Sequence, residues 1–271
     1  MSSRKRTLPT AYSLLPDRFA DDRHGTILRG LGRRGYRIVH GPGTPRDGRD
    51  LLVTWTVHRG AKEDAARAFE AAGGRVVVCE EAYVRTVNGE RHFALALHDH
   101  NGAGRWTCGG PERWESFGIA LKPWRAHGDH IVVREQRGIG SARMASPPLW
   151  HDDVTRRLRM ITDRPVVLRP HPRSRLYPEA ERARVPLERA LDGAHAVVTW
   201  SSSIAARALV LGVPVVFEAP HIVCAGACTR GIGMIETPPT PDRLPALERL
   251  AWAQWSVAEI ARGTAFEHLL A

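Results

Sequence analysis

The chain has 271 residues, of which 43% are hydrophobic and 25% charged, a composition that suits one large buried core or two smaller ones. No apolar run approaches the roughly 20 residues of a membrane-spanning helix, and the basic N-terminus lacks the apolar region of a secretory signal. Four cysteines are too few for a disulfide framework in a chain of this length. We therefore expect a cytoplasmic protein with reduced thiols and no membrane partner.

The charge is strongly basic and unevenly distributed along the sequence. The formal net charge is +10, from 39 Lys and Arg against 29 Asp and Glu. Residues 1–145 hold 24 basic and 16 acidic side chains, a net charge of +8, whereas residues 146–271 hold 15 and 13, a net charge of +2. This excess predicts a polyanionic partner for the first half, nucleic acid above all, although a generally Arg-rich surface explains it equally well.

The first half alternates helix and strand patterns, which predicts a small open α/β unit. The predicted elements are a helix over 21–34, strands over 36–39 and 51–56, a helix over 62–72 and strands over 75–79 and 93–97.

A polar break over 122–128 precedes a second alternation of the same kind. Its predicted elements are strands over 131–133, 165–168, 196–199, 215–217 and 234–235, a helix over 204–211, and a helical tail from Thr240 with a capping box at Ser256 and Glu259 and a break at Gly263. We divide the chain into domains over 1–125 and 126–245 and a C-terminal helical segment over 246–271 that packs back on the first domain.

A serine-rich turn is the most informative local feature of the second half. Trp200, Ser201, Ser202 and Ser203 follow a buried strand and precede a helix. Hydroxyls and free N–H groups at a helix N-terminus favour an anion, usually a phosphate. Glu218 leaves the next strand at the same sheet edge, where it can accept hydrogen bonds from a ribose diol. A well-capped helix in an α/β core explains the same pattern.

Two further loops follow strands of the second half. Arg169 and His171 lie in the motif RPHP, whose prolines stiffen the loop, and both side chains can bind a diphosphate and neutralise its charge as it leaves. Gln136, Arg137 and Gly138 follow the first strand, where glycine lets the backbone approach a ligand closely. A basic surface loop and a flexible interdomain loop are the simpler interpretations.

Other motifs point away from common chemistries. A G-x-G-x-x-G match at residues 30–35 follows a helix and precedes a strand, the reverse of a dinucleotide-binding unit, so helix-capping glycines are the better interpretation. His98 and His100 flank Asp99 but have no further ligand cluster, and the sequence has no Asp-x-Asp. We expect no metal site and no cofactor.

The second half of the chain resembles the donor half of GT-B-type glycosyltransferases, in particular capsule and teichoic-acid transferases. The resemblance is carried by the RPHP motif, the segment VVTWSSSIAARALVLGVPVV and the Glu after it. The resemblance covers about residues 130–260. It implies an α/β fold of two facing Rossmann-like domains with a C-terminal helix crossing back. It also implies that the RPHP loop and the serines contact the phosphates of a nucleotide sugar, a UDP-sugar, and that Glu218 contacts its ribose. The segments EEAYV, HDHNG and QRGIG resemble small phage-type proteins that modify DNA.

In such a fold the first domain presents the acceptor and a general base. We predict Asp99 as this base, with His98, His100, Glu80 and Glu81 as alternatives; a turn residue before Asn-Gly explains Asp99 equally well.

The predicted function is a monomeric, metal-independent glycosyltransferase that moves a sugar from a UDP-sugar to a hydroxymethylated base, such as 5-hydroxymethylcytosine, in double-stranded DNA. The alternatives are the same chemistry on a surface polysaccharide, and a non-catalytic DNA-binding protein on a transferase-like scaffold.

Overall fold

The computed structural model describes residues 8–16, 23–57, 59–177 and 185–271. Contacts divide these residues into two compact units. The first unit comprises the residues up to His100 together with Gly104–Cys108 and Trp252–Ala271, and the second comprises Asn101–Ala103 and Gly109–Ala251. In the part of the chain that is described, no helix is long and apolar enough to cross a membrane.

The strands in chain order are β1 (Thr10–Ser13), β2 (Arg37–His40), β3 (Leu51–Trp55), β4 (Arg75–Val87), β5 (Glu90–Leu97), β6 (His130–Arg134), β7 (Val166–Arg169), β8 (Ala194–Thr199), β9 (Val215–Phe217), β10 (Thr229–Arg230) and β11 (Gln254–Ser256). The helices are α1 (Arg23–Arg33), α2 (Ala61–Ala71), α3 (Glu112–Ser116), α4 (Trp150–Leu158), α5 (Leu187–Ala190), α6 (Ile204–Val210), α7 (Leu244–Ala251), α8 (Val257–Arg262) and α9 (Thr264–Leu270). The first two residues of the helix predicted over 21–34 lie outside the described residues.

The first unit contains a mixed six-stranded sheet in the order β11-β5-β4-β3-β1-β2. Strands β1 to β4 are parallel, whereas β5 runs antiparallel to both β4 and β11. The turn between β4 and β5 lies at Asn88 and Gly89, whose φ angles are 49° and 79°, as a tight hairpin turn requires. Because this hairpin continues β4 to Val87, the expectation that Glu80 and Glu81 follow a strand is wrong; both lie within it.

The glycines of the G-x-G-x-x-G match have structural roles in the first unit. A Cβ on Gly30 would lie 1.9 Å from the carbonyl oxygen of Ile260, so this glycine allows α1 to approach α8. Gly35 follows α1 with φ of 82°. The interpretation of this match as helix-packing and helix-ending glycines therefore agrees with the structure.

The second unit contains a parallel five-stranded sheet in the order β10-β9-β8-β6-β7. Strands β6 and β8 are almost fully buried, as expected for strands covered on both faces. The expected strand over 234–235 is wrong, because Gly231, with φ of 77°, ends β10 and the chain enters a 3-10 turn at Ile232–Met234.

The predicted helical tail is only partly correct, because its first helix begins at Leu244 rather than Thr240 and the strand β11 at Gln254–Ser256 interrupts it. The signals after this strand agree with the structure. The Ser256 hydroxyl accepts the backbone N–H of Glu259 at 3.2 Å, and the Glu259 carboxylate accepts that of Ser256 at 2.8 Å. The capping box is thus confirmed. Gly263, with φ of 87°, ends α8 and precedes α9.

The positive charge is shared almost evenly between the two units. Among the described residues the first unit holds 15 basic and 11 acidic side chains, a net charge of +4, and the second holds 18 and 13, a net charge of +5. The uneven distribution along the sequence disappears because residues 109–145, with a net charge of +2, belong to the second unit, while residues 252–271, with a net charge of −1, belong to the first. Charge therefore does not single out the first unit as the one that binds a polyanion.

A buried carboxylate joins the first strand to the loop before β3. Asp50 is 1% exposed at its side chain and accepts hydrogen bonds from the backbone N–H of Thr10 at 2.6 Å and from the Arg46 backbone and guanidinium at 2.8–3.0 Å. The Arg46 hydrogen bond is the main cause that lowers the pKa of Asp50 to about 2. The ionised form is therefore strongly favoured in the folded protein.

We expect Asp50→Asn to lower the free energy of unfolding by roughly 2–3 kcal/mol at pH 6. Because the pKa of Asp50 is lower in the folded than in the unfolded state, this stabilisation is present above about pH 5 and is lost as the pH falls toward 2. Urea unfolding at pH 6 and pH 3 should show the difference between wild type and variant falling to about half at pH 3. Asp47→Asn, which removes an exposed pair with Arg49, is the control and should change stability far less than Asp50→Asn does, because solvent screens exposed pairs. Equal losses in the two variants would contradict this role.

Candidate functional site

The second unit has a topological switch point between β6 and β8. The chain leaves β6 toward β7 on one side and later returns to β8 on the other, and ligands of such sheets bind beyond the carboxyl ends of the strands at this point. The Gln136 side-chain amide donates to the Thr199 hydroxyl at 3.2 Å across these two strand ends. The loops after β6, β7, β8 and β9 share this edge, so the structure brings the predicted donor-binding segments together.

The loop after β7 carries the RPHP motif. Arg169 ends β7 and donates from its guanidinium to the carbonyl of Val185 at 2.9 Å. His171 Nδ1 accepts the backbone N–H of Arg173 at 2.9 Å, so the neutral ring carries its proton on Nε2. His171 is therefore set to act as a hydrogen-bond donor through Nε2.

Three arginines crowd together beside this loop. The pKa of Arg137 is lowered, first by burial and then by the nearby charges of Arg173 and Arg175, while Glu135 acts in the opposite direction. Positive charges that repel one another in this way are stabilised by a bound anion. Gly138, with φ of 64°, donates its backbone N–H to the Ser146 hydroxyl at 3.2 Å.

The serine-rich turn after β8 is braced largely by backbone groups. Ser202 donates its N–H to the Thr199 hydroxyl at 3.1 Å, and its own hydroxyl accepts the N–H of Ile204 at 3.4 Å. Ser203 occupies the N-cap of α6 but makes no side-chain capping bond, so of the three serines it is Ser202 whose hydroxyl accepts the first N–H of the helix. The Ser201 carbonyl accepts a hydrogen bond from the Asn101 side chain.

Trp200 serves the packing of the second unit. Its indole N–H donates to the carbonyl of Met144 at 2.8 Å, and its ring lies edge-on to Trp150 with centroids 5.9 Å apart. It also contacts the apolar cluster around β6 and β8. The N–H of Trp200 is thus already engaged by the protein.

Glu218, at the end of β9, is held in an ion pair. Its carboxylate accepts two hydrogen bonds from Arg157, at 2.7 and 2.6 Å, and one from the Trp150 indole at 2.8 Å. Burial opposes ionisation, but these hydrogen bonds outweigh it and lower the pKa of Glu218. Since a carboxylate has about four acceptor positions, one more hydrogen bond, such as that of a ribose hydroxyl, can still be accepted.

Three residues of the second unit that the sequence did not single out hold the predicted loops in place. Arg134 and Glu135, at the end of β6, are buried and hydrogen-bond to the RPHP loop. Asn101 joins the serine turn to the segment at Val223. Its side-chain NH₂ donates to the Ser201 carbonyl, and its side-chain oxygen accepts the backbone N–H of Val223 at 2.7 Å. An Asn-Gly pair indicates a turn, and no sequence signal connects it to a segment about a hundred residues away.

The predicted general base lies in the first unit. Asp99 and His100 are both buried, and Asp99 Oδ1 lies 2.8 Å from the His100 backbone N and 2.8 Å from its Nδ1. Burial disfavours protonation of His100, but the charges of Glu80 and Asp99 outweigh it and raise the pKa of His100. Because β5 is antiparallel to β4, Asp99 follows the strand end that lies beside the amino end of β4.

The alternative bases have partners within the same unit. His98 Nδ1 lies 2.6 Å from Glu70 Oε1, and Glu80 accepts the Tyr83 hydroxyl at 2.9 Å. Glu81 pairs with Arg23 and Arg91, each at 3.1 Å. Within the described residues, no group of three or more His, Cys, Asp or Glu side chains could hold a metal ion.

No protein-family model and no curated protein sequence matches this chain. Two solved structures of KpsC from Thermosulfurimonas dismutans do match along nearly the whole chain. A β-Kdo 2,7 transferase matches with a TM-score of 0.55 and 15% identity, over 95% of this chain and 99% of that one. A β-Kdo 2,4 transferase matches with a TM-score of 0.58 and 12% identity, over 94% and 98%. This chain shares their fold. The predicted α/β class with two GT-B-like domains is thereby confirmed, and at these identities the likeness is one of fold.

Proposed function

We propose that this protein is a glycosyltransferase whose second unit binds a nucleotide sugar. The observation that carries the proposal is the convergence of four loops at one edge of a parallel sheet that has a switch point between β6 and β8. One of these loops carries His171 together with Arg173 and Arg175, whose charges act on Arg137 of the loop after β6. The names of the two structural neighbours, both Kdo transferases, support sugar transfer.

The chemistry follows from the charges at this edge. A nucleotide diphosphate gains negative charge as its bond to the sugar breaks, and hydrogen-bond donors and cations placed at that point stabilise the transition state. His171 donates through Nε2, and the arginines supply positive charge that needs no metal ion. The serines Ser201–Ser203 contact the phosphates, and the carboxylate of Glu218 accepts a hydrogen bond from a hydroxyl of the ribose. We take UDP as the nucleotide.

For the acceptor side, we propose that Asp99 removes the proton of the attacking hydroxyl. A carboxylate is suited to this role when its position is fixed, and the hydrogen bonds from His100 fix it. His98, His100, Glu80 and Glu81 are the alternatives, and Glu80 and Glu81 are the carboxylates to test next.

Two acceptors fit different observations. A surface polysaccharide fits the names of the structural neighbours. A hydroxymethylated base in double-stranded DNA fits the net charge of +10 of the whole chain, although the described residues of the two units carry nearly equal charges of +4 and +5. A base within a duplex would have to be extruded to reach the reacting sugar.

We expect His171→Ala to lower kcat by roughly 100- to 1000-fold, because a donor to the leaving phosphate is lost, and to leave the KM for the acceptor within a few-fold. Steady-state kinetics measure both, and calorimetry with UDP and UDP-sugars measures donor binding. His127→Ala, at an exposed position in the same unit, is the matched control. A wild-type protein that binds no nucleotide would refute the enzyme proposal and leave a non-catalytic scaffold.

We expect Asp99→Asn to abolish turnover while UDP affinity stays within a few-fold of wild type, because the amide cannot accept a proton. Turnover is measured with saturating donor and acceptor, and UDP affinity by calorimetry. Asp47→Asn, an exposed site in the same unit, should be fully active. An active Asp99→Asn variant would move the base to Glu80 or Glu81.

The acceptor is decided by incubating the protein with plain duplex DNA, hydroxymethylated duplex DNA or capsule-type oligosaccharides. Each is combined with a panel of nucleotide sugars that includes activated Kdo, and the products are analysed by mass. If DNA is the acceptor, a sugar appears on the hydroxymethylated base alone, and binding to DNA weakens steeply with added salt because counterions are released. Transfer to oligosaccharide, with weak salt-independent DNA binding, assigns the protein to polysaccharide synthesis.

A further inference from the structure

Glu135 is a buried carboxylate that the proposed chemistry does not use. It follows β6 directly and is 3% exposed. A buried carboxylate is tolerated only when hydrogen bonds replace the water it has lost. Both oxygens of Glu135 are engaged by the RPHP loop: Oε2 accepts the backbone N–H of His171 at 2.6 Å, and Oε1 accepts the hydroxyl of Ser174 at 2.6 Å.

Arg134, the residue before Glu135, holds the same loop through the carbonyl groups of the loop. The guanidinium of Arg134 donates to the carbonyl of Arg169 at 3.1 Å and to the carbonyl of Pro170. Arg134 thus binds carbonyls of the loop, and Glu135 binds an amide and a hydroxyl. The last residue of β6 and the residue after it therefore hold the loop together, one by donating hydrogen bonds to it and the other by accepting them.

The backbone N–H groups of the segment from His171 to Ser174 are already engaged. The two prolines have no N–H. The N–H of His171 goes to Glu135, that of Arg173 goes to His171 Nδ1 at 2.9 Å, and that of Ser174 goes to the His171 carbonyl at 2.8 Å. An anion beside the segment from His171 to Ser174 would thus meet side chains rather than these backbone amides.

We propose that Glu135 is a positioning residue that fixes the direction and the tautomer of His171. By holding both ends of the turn from His171 to Ser174, it places the Arg173 N–H against Nδ1 and so keeps the ring proton on Nε2. This inference rests on the proposed function, in which that proton faces the leaving phosphate. Arg134 assists by holding the strand side of the loop.

The test is Glu135→Gln, which keeps the shape of the side chain but replaces one acceptor oxygen by an NH₂ group. The Ser174 oxygen already accepts the N–H groups of Leu176 and Tyr177, so it cannot also accept the new NH₂ group. The amide oxygen can therefore serve His171 or Ser174 but not both, and the loop loses one of its two anchors. We expect kcat to fall roughly 10- to 100-fold, because a displacement of about 1 Å at a reacting group has an effect of this size. The KM for the acceptor should stay unchanged.

A second measurement separates positioning from a purely structural role. Nitrogen-15 spectra of the full chain report which ring nitrogen of a histidine carries the proton, and the His171 signals are identified by their loss in His171→Ala. We expect wild type to show the Nε2–H form and Glu135→Gln to show a mixture of tautomers. Glu236→Gln, which removes the pair with Arg164 in the same unit, should leave both kcat and the ring signals unchanged.

Ser174→Ala provides a milder variant if Glu135→Gln does not fold. It removes the bond to Oε1 and leaves the bond from the His171 N–H, so kcat should fall less and the ring signals should shift in the same direction. Ring signals that stay as in wild type in a folded Glu135→Gln or Ser174→Ala variant would overturn the inference. The spectra need no nucleotide, so a wild-type protein that binds none overturns the proposed function alone.

Discussion

The parallel pairing of β6 with β7 on one side and β8 on the other is the constraint on which the candidate site depends. Arg134 lies beside Arg169, and Val133 beside Val198, so three strands end at the same level. A slip of one residue would turn every side chain to the other face of the sheet. Since the buried valines of β6 and β8 set this register, the apolar core decides where the polar loops stand.

Buried polar side chains then attach each loop to this frame. Glu135 holds the RPHP loop, Asn101 holds the serine turn, and Arg157 holds Glu218. Glu135 and Asn101 are buried, so their hydrogen bonds are costly to break, whereas the side chain of Arg157 is still 38% exposed. The first unit uses the same device at Asp50, where a carboxylate with a pKa of about 2 anchors β1. Loops held in this way keep their side chains oriented before any ligand arrives, which is what a preorganised site requires.

The two units differ in how their sheets are built. The second unit is wholly parallel, so every strand ends toward the same edge and the polar loops converge there. The first unit contains a hairpin at Asn88 and Gly89, which reverses β5 and carries Asp99 to the amino end of β4. The buried pair of Asp99 and His100 thus arises from an antiparallel strand, and its position does not follow from the rule that governs the donor loops.

The sequence by itself determined the local elements and the segments that carry the donor-side residues. Strand β9, helix α6 and the capping box of α8 agree with their sequence signals to within a residue, because periodicity and capping act over a few neighbours. Only the tertiary structure decided the antiparallel direction of β5, the ion pair of Glu218 and the contacts of Glu135 and Asn101. These contacts join residues 36 to 122 positions apart, and a local pattern records what a side chain can bind but not which distant partner the fold brings to it.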